Sequence, residues 1–254
     1  MTATTRIARF AEALDAGGFA AAIVSYHRDV FYLAGTAQPA NLLVVPGAEP
    51  VLYARRFLEL AQAETTVAEV QEAAGLTVVR ERLQALGVRG GKLGMTLDVI
   101  PAALYRKAAQ TFASYDLEDV SELLLAQRAV KDADEIEAHR RAARAFDAAH
   151  EAIVAHARPG VTELEVSAEV ARAVRRAGHD GVLFQRRWDG MLQPEGALAS
   201  GENLYPISAL AIAVNGVGLG RAVPFGAAAR VLLPGDLVNI DAANCVGGYH
   251  GDMA

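Results

Sequence analysis

The chain has 254 residues, of which 52% are hydrophobic and 21% charged, a composition that favours a soluble folded protein over a disordered one. The formal net charge of -6 argues against nucleic acid as a partner, because phosphate binding requires a positive surface. No stretch approaches the roughly 18–20 consecutive apolar residues of a membrane span, and the N-terminal residues lack the apolar core of a signal peptide. Cys245 is the only cysteine, so no internal disulfide can form, and a reducing cytoplasm is the predicted compartment.

Residues 1–128 alternate short helical and strand patterns. RIARFAEALDAGG predicts a helix that ends at Gly17 and Gly18, since glycine adopts the left-handed C-terminal conformation without a steric penalty. AAIVSY, NLLVVPG and PVLYA are short apolar runs of the kind that buried strands show, and ERLQALGVRGGKLGMT repeats the cycle of helix, turn and strand. The alternation predicts an α/β (α+β) domain with a mixed sheet.

A second domain is predicted over residues 129–254, and it opens with a long helix. Asp132 and Glu135 have the spacing of a capping box, in which the first side chain accepts from helix amides and the second reaches back. The helical pattern then runs from about residue 133 to 157 and stops before Pro159.

A second capping box, Thr162 with Glu165, opens another helix that ends at Gly178. Beyond it, short apolar runs alternate with glycine and proline, and no helical period is visible. The predicted order of the second domain is therefore two helices followed by antiparallel strands.

The last strands are predicted to form a hairpin that carries two aspartates. LLPGDLVNID alternates as a strand, NCVGG supplies a turn and YHGDMA returns. A four-residue loop at Cys245–Gly248 would put Asn244 opposite Tyr249 and, by equal steps, Asp241 opposite Asp252. Directly opposed residues have Cβ atoms roughly 4.5–5.5 Å apart, and like charges there repel. A divalent cation or a shared proton would relieve that repulsion.

The turn length decides whether this argument holds. Changing the loop by one residue would put Asp241 and Asp252 on opposite faces of the sheet, where both would be solvated surface charges. The spacing by itself leaves the two alternatives open.

These segments resemble the pita-bread metallopeptidases, a group that includes Xaa-Pro aminopeptidases, prolidases, methionine aminopeptidases and the metal-free creatinases. The pattern ID-A-x-x-x-x-x-GY-x-x-D, preceded by LLPGD, is similar to their metal-binding hairpin. The two helices joined by RPGVTE resemble the start of their catalytic domain, and residues 1–128, with DVFYLAGTAQPANLLVVPG, resemble the creatinase-type N-terminal domain. That N-terminal domain favours the prolidase and Xaa-Pro aminopeptidase branch.

The resemblance implies a hydrolase that cleaves Xaa-Pro peptides or dipeptides with two divalent metal ions, Mn, Co or Zn. Asp241 matches the aspartate that binds one ion and Asp252 the one that bridges both. His250 shares a face with Asp252 by alternation, which makes it a candidate substrate-binding residue. Relatives with this N-terminal domain are commonly homodimers, so the resemblance also implies a homodimer here.

The match is incomplete. The remaining ligands of the family, one His and two Glu, and its general base lie further along than residue 254. The chain is therefore predicted to be part of a catalytic domain that is inactive alone and holds no metal ion or one weakly bound ion. A histidine that many relatives carry upstream of the hairpin also has no counterpart in SGENLYPISALAIAVNGVGLG.

Two other functions stay open at this point. One is a creatinase-like hydrolase that works without metal, although retention of both Asp241 and Asp252 argues against it. The other is a non-catalytic pita-bread protein that binds peptides or proteins. Cys245 is a poor nucleophile candidate because no partner base is near it in the sequence.

Overall fold

A computed structural model describes residues 3–186, 191–206 and 216–254 of the chain. The chain divides into two compact units, Met1–Lys131 and Asp132–Ala254. In the described ranges, no helix combines the length and the hydrophobicity that a membrane crossing requires.

The first unit alternates helices and strands, as predicted. Its helices are α1 (Ala3–Ala16), α2 (His27–Ala34), α3 (Leu58–Glu64), α4 (Thr77–Ala85), α5 (Ala102–Thr111) and α6 (Ser121–Ala129). Its strands are β1 (Phe19–Val24), β2 (Ala40–Val44), β3 (Val51–Ala54), β4 (Glu69–Glu72), β5 (Lys92–Met95) and β6 (Asp116–Asp119).

These strands form a mixed sheet in the order β4-β3-β2-β1-β5-β6. β2 runs antiparallel to both β1 and β3, and the other neighbouring strands are parallel. Both faces of the sheet are covered: Ala22 and Val24 pack into one core with Phe10 of α1, and Ile23 packs into the other with Phe112 at the end of α5. Burial on both faces explains why β1 reads as a continuous apolar run.

The predicted end of the first helix is confirmed. α1 ends at Ala16, and the Gly17 amide donates to the Ala13 carbonyl at 3.0 Å. Gly18 follows with φ +71°, in the left-handed region that favours glycine.

The second unit begins with the two predicted helices and continues as antiparallel strands. Its elements are α7 (Ala133–His156), α8 (Glu163–Arg176), β7 (Leu183–Phe184), β8 (Met191–Leu192), β9 (Ala197–Ser200), a 3-10 turn (Gly201–Leu204), β10 (Val238–Val246) and β11 (Tyr249–Met253). The strands β11, β10 and β9 form an antiparallel sheet in that order, and β7 pairs with β8.

Both predicted capping boxes are present. The Glu135 amide donates to Asp132 Oδ1 at 2.9 Å, and the Asp132 amide donates to the Glu135 carboxylate at 3.0 Å. At α8, the Glu165 amide donates to Thr162 Oγ1 at 3.2 Å, and the Thr162 amide donates to Glu165 at 2.8 Å. Each box satisfies amides that have no partner inside the helix, and so fixes where the helix begins.

Helices α7 and α8 cover one face of the β10–β11 hairpin. Ile240 packs into a cluster of apolar side chains from both helices. On β11, a Cβ at Gly251 would lie 2.9 Å from the Phe146 ring of α7, so a larger residue there would have to displace the ring. Because successive residues of a strand point to opposite faces, Asp241 and Asp252 lie on the face away from the helices.

Candidate metal site

The hairpin turns through two glycines. Gly247 and Gly248 have φ of +60° and +80°, and Val246 pairs with Tyr249 on either side of them. Positive φ at both central positions is the requirement of a type I′ turn, whose twist matches that of the strands it joins. The predicted four-residue loop is therefore wrong, because the glycine pair permits a tighter turn.

The tighter turn moves the register by two residues. Asn244 pairs with Gly251 instead of Tyr249, and Ala243, not Asp241, pairs with Asp252. The predicted direct opposition of the two aspartates is therefore wrong.

An even shift leaves the face unchanged, and the two aspartates still lie on the same face. Asp241 is the diagonal neighbour of Asp252, a relation in which residues on adjacent strands are about 7–8 Å apart. The alternative in which they point to opposite faces does not hold in this register.

The two carboxylates influence each other electrostatically. Asp241 is half-buried and Asp252 is exposed. The pKa of Asp241 is raised, first because burial disfavours its charged form and second because of the negative charge on Asp252. A bound divalent cation would remove both penalties, and hard carboxylate oxygens are the ligands such ions prefer. The donor set therefore fits a divalent metal ion.

The backbone around Asp241 is closely packed on its other edge. Asp241 pairs with Ala197 of β9, and a Cβ on Gly196 would lie 2.2 Å from the Asp241 carbonyl oxygen. Only glycine allows this approach, so β9 lies directly against the strand at the first candidate ligand.

The aspartate pair is only part of a metal-ligand set. Within residues 3–186, 191–206 and 216–254, no group of three or more His, Cys, Asp or Glu side chains is arranged to hold a metal ion. A dinuclear centre needs more ligands than the Asp241 and Asp252 carboxylates supply.

His250 lies on the same face as Asp252 and pairs with Cys245 across the hairpin. Its backbone carbonyl lies 2.7 Å from His139 Nδ1, and His139 also meets the Tyr249 ring edge-on, with centroids 5.5 Å apart. His139 thus ties α7 to β11 from the helix side of the sheet. The role of His250 toward a substrate stays a prediction.

Sequence reasoning missed a buried carboxylate in this unit. Glu163, at the start of α8, is fully buried and accepts hydrogen bonds from four donors. The Ser200 amide and hydroxyl and the Asn203 side-chain amide each donate at 2.7 Å, and the Ala228 amide donates at 2.8 Å. In the sequence Glu163 looks like an ordinary acidic residue in a first helical turn, and no local pattern marks it as buried.

The aspartate of LLPGD also has a structural partner. Asp236 binds Arg230 through two bonds, of 2.6 and 3.0 Å, and accepts the Leu233 amide at 2.7 Å. The Arg230 guanidinium, first through its hydrogen bond, lowers the pKa of Asp236. Asp236 therefore closes the turn before β10 and lies outside the candidate metal site.

The segment SGENLYPISALAIAVNGVGLG, in which the family's upstream histidine has no counterpart, lies partly outside the described residues, since residues 207–215 belong to those not described. Arg187 and Trp188 also lie outside the described residues. The described end, GVGLG, is a close-packed loop, since a Cβ at Gly218 would lie 2.4 Å from the Val223 carbonyl oxygen.

Two family models match the chain, one for each unit. Residues 6–130 match the creatinase/prolidase N-terminal domain, and residues 137–254 match metallopeptidase family M24. A curated relative, the uncharacterized peptidase YqhT of Bacillus subtilis (strain 168), is 22% identical over 235 residues, which are 91% of this chain and 58% of the relative.

Solved structures of similar proteins have the same fold. An Xaa-Pro dipeptidase from Bacillus anthracis is 25% identical with a TM-score of 0.79, and the match covers 99% of this chain and 63% of that one. The prolidase from Pyrococcus horikoshii OT3 is 19% identical with a TM-score of 0.76, over 98% of this chain and 63% of that one. The mixed α/β architecture is therefore that of the prolidases, and the chain spans about three-fifths of the length of these relatives.

Proposed function

Because residues 137–254 match metallopeptidase family M24 and residues 6–130 match the creatinase/prolidase N-terminal domain, we propose that the chain is part of a metal-dependent peptidase that cleaves Xaa-Pro bonds. The activity would be that of an Xaa-Pro dipeptidase or aminopeptidase. The observation that carries the proposal is the placement of Asp241 and Asp252 on one face of a hairpin inside the matched M24 region. The dipeptidase of Bacillus anthracis supports the substrate class.

Asp241 and Asp252 would hold the divalent metal, for which Mn, Co and Zn are the candidates. A bound divalent ion supplies a hydrolytic nucleophile, because it lowers the pKa of its water. The protein's part is to hold two carboxylates on a rigid strand pair. β9 on one edge and α7 and α8 on one face restrict how far Asp241 can move.

We also propose that residues 1–254 alone hold at most one weakly bound ion and hydrolyse no Xaa-Pro peptide. The support is the ligand count, since among the described residues no third His, Cys, Asp or Glu side chain joins Asp241 and Asp252 in a metal-binding group. Catalysis by two metal ions needs further ligands and a general base. A cytoplasmic location is part of the same proposal, because Cys245 is the single cysteine of the chain and cannot form an internal disulfide.

The test is an assay of Xaa-Pro dipeptides and longer Xaa-Pro peptides with Mn, Co and Zn. Residues 1–254 and the product of the complete reading frame are measured side by side, each also as Asp252→Asn and as the control Asp147→Asn, which alters an exposed aspartate on α7. We expect the complete product to be active, Asp252→Asn to abolish that activity, Asp147→Asn to retain it, and residues 1–254 to be inert.

Two results would overturn the proposal. Metal-independent hydrolysis that survives Asp252→Asn would favour a creatinase-like enzyme. Robust metal-dependent cleavage by residues 1–254, free of any longer chain, would mean that the catalytic site is elsewhere.

A further inference from the structure

The turn of the hairpin is held by a residue that follows α8. The Asp180 carboxylate accepts the Gly247 amide at 3.2 Å and the Gly248 amide at 2.8 Å. Its own amide donates to the Cys245 carbonyl at 2.7 Å, and Cys245 Sγ lies 3.3 Å from Asp180 Oδ2. Hydrogen bonds from backbone amides to a carboxylate are stronger than those to a neutral acceptor. Asp180 therefore binds both central residues of the turn and the strand that enters it.

The neighbouring histidine extends the same contact along β10. His179 Nε2 lies 3.4 Å from the Ala243 carbonyl, and the Gly181 amide donates to His179 Nδ1 at 2.8 Å. Because Nδ1 accepts a hydrogen bond, the proton of the neutral ring lies on Nε2, which donates to the Ala243 carbonyl. The carbonyls of Ala243 and Cys245 thus point away from β11 and are satisfied by residues 179–180.

One edge of β10 is consequently occupied along its length, by β9 at residues 238–241 and by residues 179–180 at 243 and 245. On the opposite edge, β11 pairs with residues 242–246. The contacts that residues 179–180 make with β10 and with the turn are compatible with the two-residue turn and not with a four-residue loop. In a four-residue loop, Cys245 would leave the strand, and the amides of Gly247 and Gly248 would no longer face one carboxylate.

We propose that Asp180 is a positioning residue that fixes the register of the β10–β11 hairpin and so places Asp241 diagonal to Asp252 as a metal-binding pair. The metal-binding part rests on the proposed function. The register matters because a shift by two residues would oppose Asp241 directly to Asp252 and bring their like charges closer. Asp180 supplies the acceptors that favour the observed turn.

Substitution of Asp180 leaves the core of the unit intact. Asp180 is exposed, whereas the hairpin is packed against α7 through Gly251 and Phe146 and tied to it by His139. Asp180→Ala removes both acceptors, and Asp180→Asn keeps one carbonyl oxygen. The matched control is Asp147→Ala, because Asp147 is also an exposed aspartate and lies on α7.

The register of the β10–β11 hairpin is measured by NMR spectroscopy on residues 1–254. Ala243 and Asp252 form a pair whose backbone groups do not bond to each other, in which the Cα atoms approach to about 4.5 Å and the Hα atoms give a strong NOE. We expect Asp180→Ala to weaken this NOE and to accelerate exchange of the Gly248 amide. Asp180→Asn should restore most of both signals, and Asp147→Ala should change neither.

Metal binding is measured by titrating the product of the complete reading frame, as wild type and with the same substitutions, with Mn²⁺, because residues 1–254 alone are proposed to hold at most one weakly bound ion. We expect Asp180→Ala to lower the affinity on the order of tenfold, as loss of a residue that orients metal ligands does, and Asp180→Asn to recover most of it. An Asp180→Ala protein with an unchanged NOE, unchanged Gly248 exchange and unchanged affinity would overturn the positioning role. Wild-type protein that binds no Mn²⁺ would overturn the proposed function alone, because the NOE and exchange measurements still decide whether Asp180 sets the register.

Discussion

At the residue scale, two buried asparagines in the second unit have opposite surroundings. Asn203 donates to Glu163 at 2.7 Å and accepts the Val217 amide at 3.0 Å. Asn244 is fully buried on the helix side of β10, and neither polar atom of its side chain has a hydrogen-bond partner among the described residues. A satisfied buried amide stabilises a fold, whereas an unsatisfied one costs the free energy of its desolvation.

We therefore expect the same substitution to act in opposite directions at the two sites. Asn244→Leu should raise the free energy of unfolding by about 1 kcal/mol, because it removes unpaired polar atoms and fills a similar volume. Asn203→Leu should lower it by about 2–3 kcal/mol, because it removes one of the two donors to Glu163 Oε2 and leaves the Val217 amide without its acceptor. Chemical denaturation measures both. A loss of stability in Asn244→Leu as large as that in Asn203→Leu would contradict the assignment.

At the element scale, the segment after α8 joins a helix to the hairpin through a neutral histidine. His179 is almost completely buried, and burial lowers its pKa; the hydrogen bond to Ala243 and the charge of Asp180 act in the opposite direction. Arg175 lowers the pKa further and Glu195 raises it. Since Nδ1 accepts the Gly181 amide, a proton added there would face another donor. The folded protein therefore prefers the uncharged ring.

This preference predicts how stability changes with pH. The unfolded chain binds a proton at His179 near the ordinary pKa of 6.5, and the folded chain binds it only at lower pH. The contribution is fully present above pH 6.5 and is lost as pH falls through the lowered folded pKa, by at most about 1.4 kcal/mol per pH unit for one proton. Unfolding measured between pH 7.5 and 5 should show a shallower loss in His179→Gln than in wild type.

The control for the pH experiment is His150→Gln, since His150 is an exposed histidine on α7. We expect its pH dependence to follow that of wild type. If His179→Gln and wild type lose stability in parallel, then the buried ring is not the group that titrates.

At the scale of the whole molecule, the match of residues 6–130 to the creatinase/prolidase N-terminal domain underlies the proposed homodimer. We expect light scattering on the complete protein to give twice the monomer mass, unchanged over a tenfold dilution. A monomer mass at every concentration would contradict the prediction. Self-association that disappears on dilution would indicate a weak contact instead of a stable dimer.

Much of the local structure and the location of the candidate site follow from the sequence alone. The capping boxes at Asp132 and Thr162 mark the starts of α7 and α8. Each box is visible in the sequence because its two residues, the N-cap and N3, are close together in the chain. Strand alternation and the glycine-rich turn locate the hairpin that carries Asp241 and Asp252, while the shared face of the two aspartates follows from the observed register. The capping boxes and the location of the hairpin depend on short-range patterns, and such patterns are visible in one sequence.

Only the tertiary structure decided the geometry of the site. The register of the hairpin follows from the two-residue turn at Gly247 and Gly248, a choice of loop length that the flanking residues leave open. Asp180 contacts that turn across 67 and 68 residues of chain, and Glu163 collects its donors from residues 37 to 65 positions away. Contacts of this kind exist only after the helices have packed on the sheet, because the packing brings a carboxylate to amides that no local pattern relates to it.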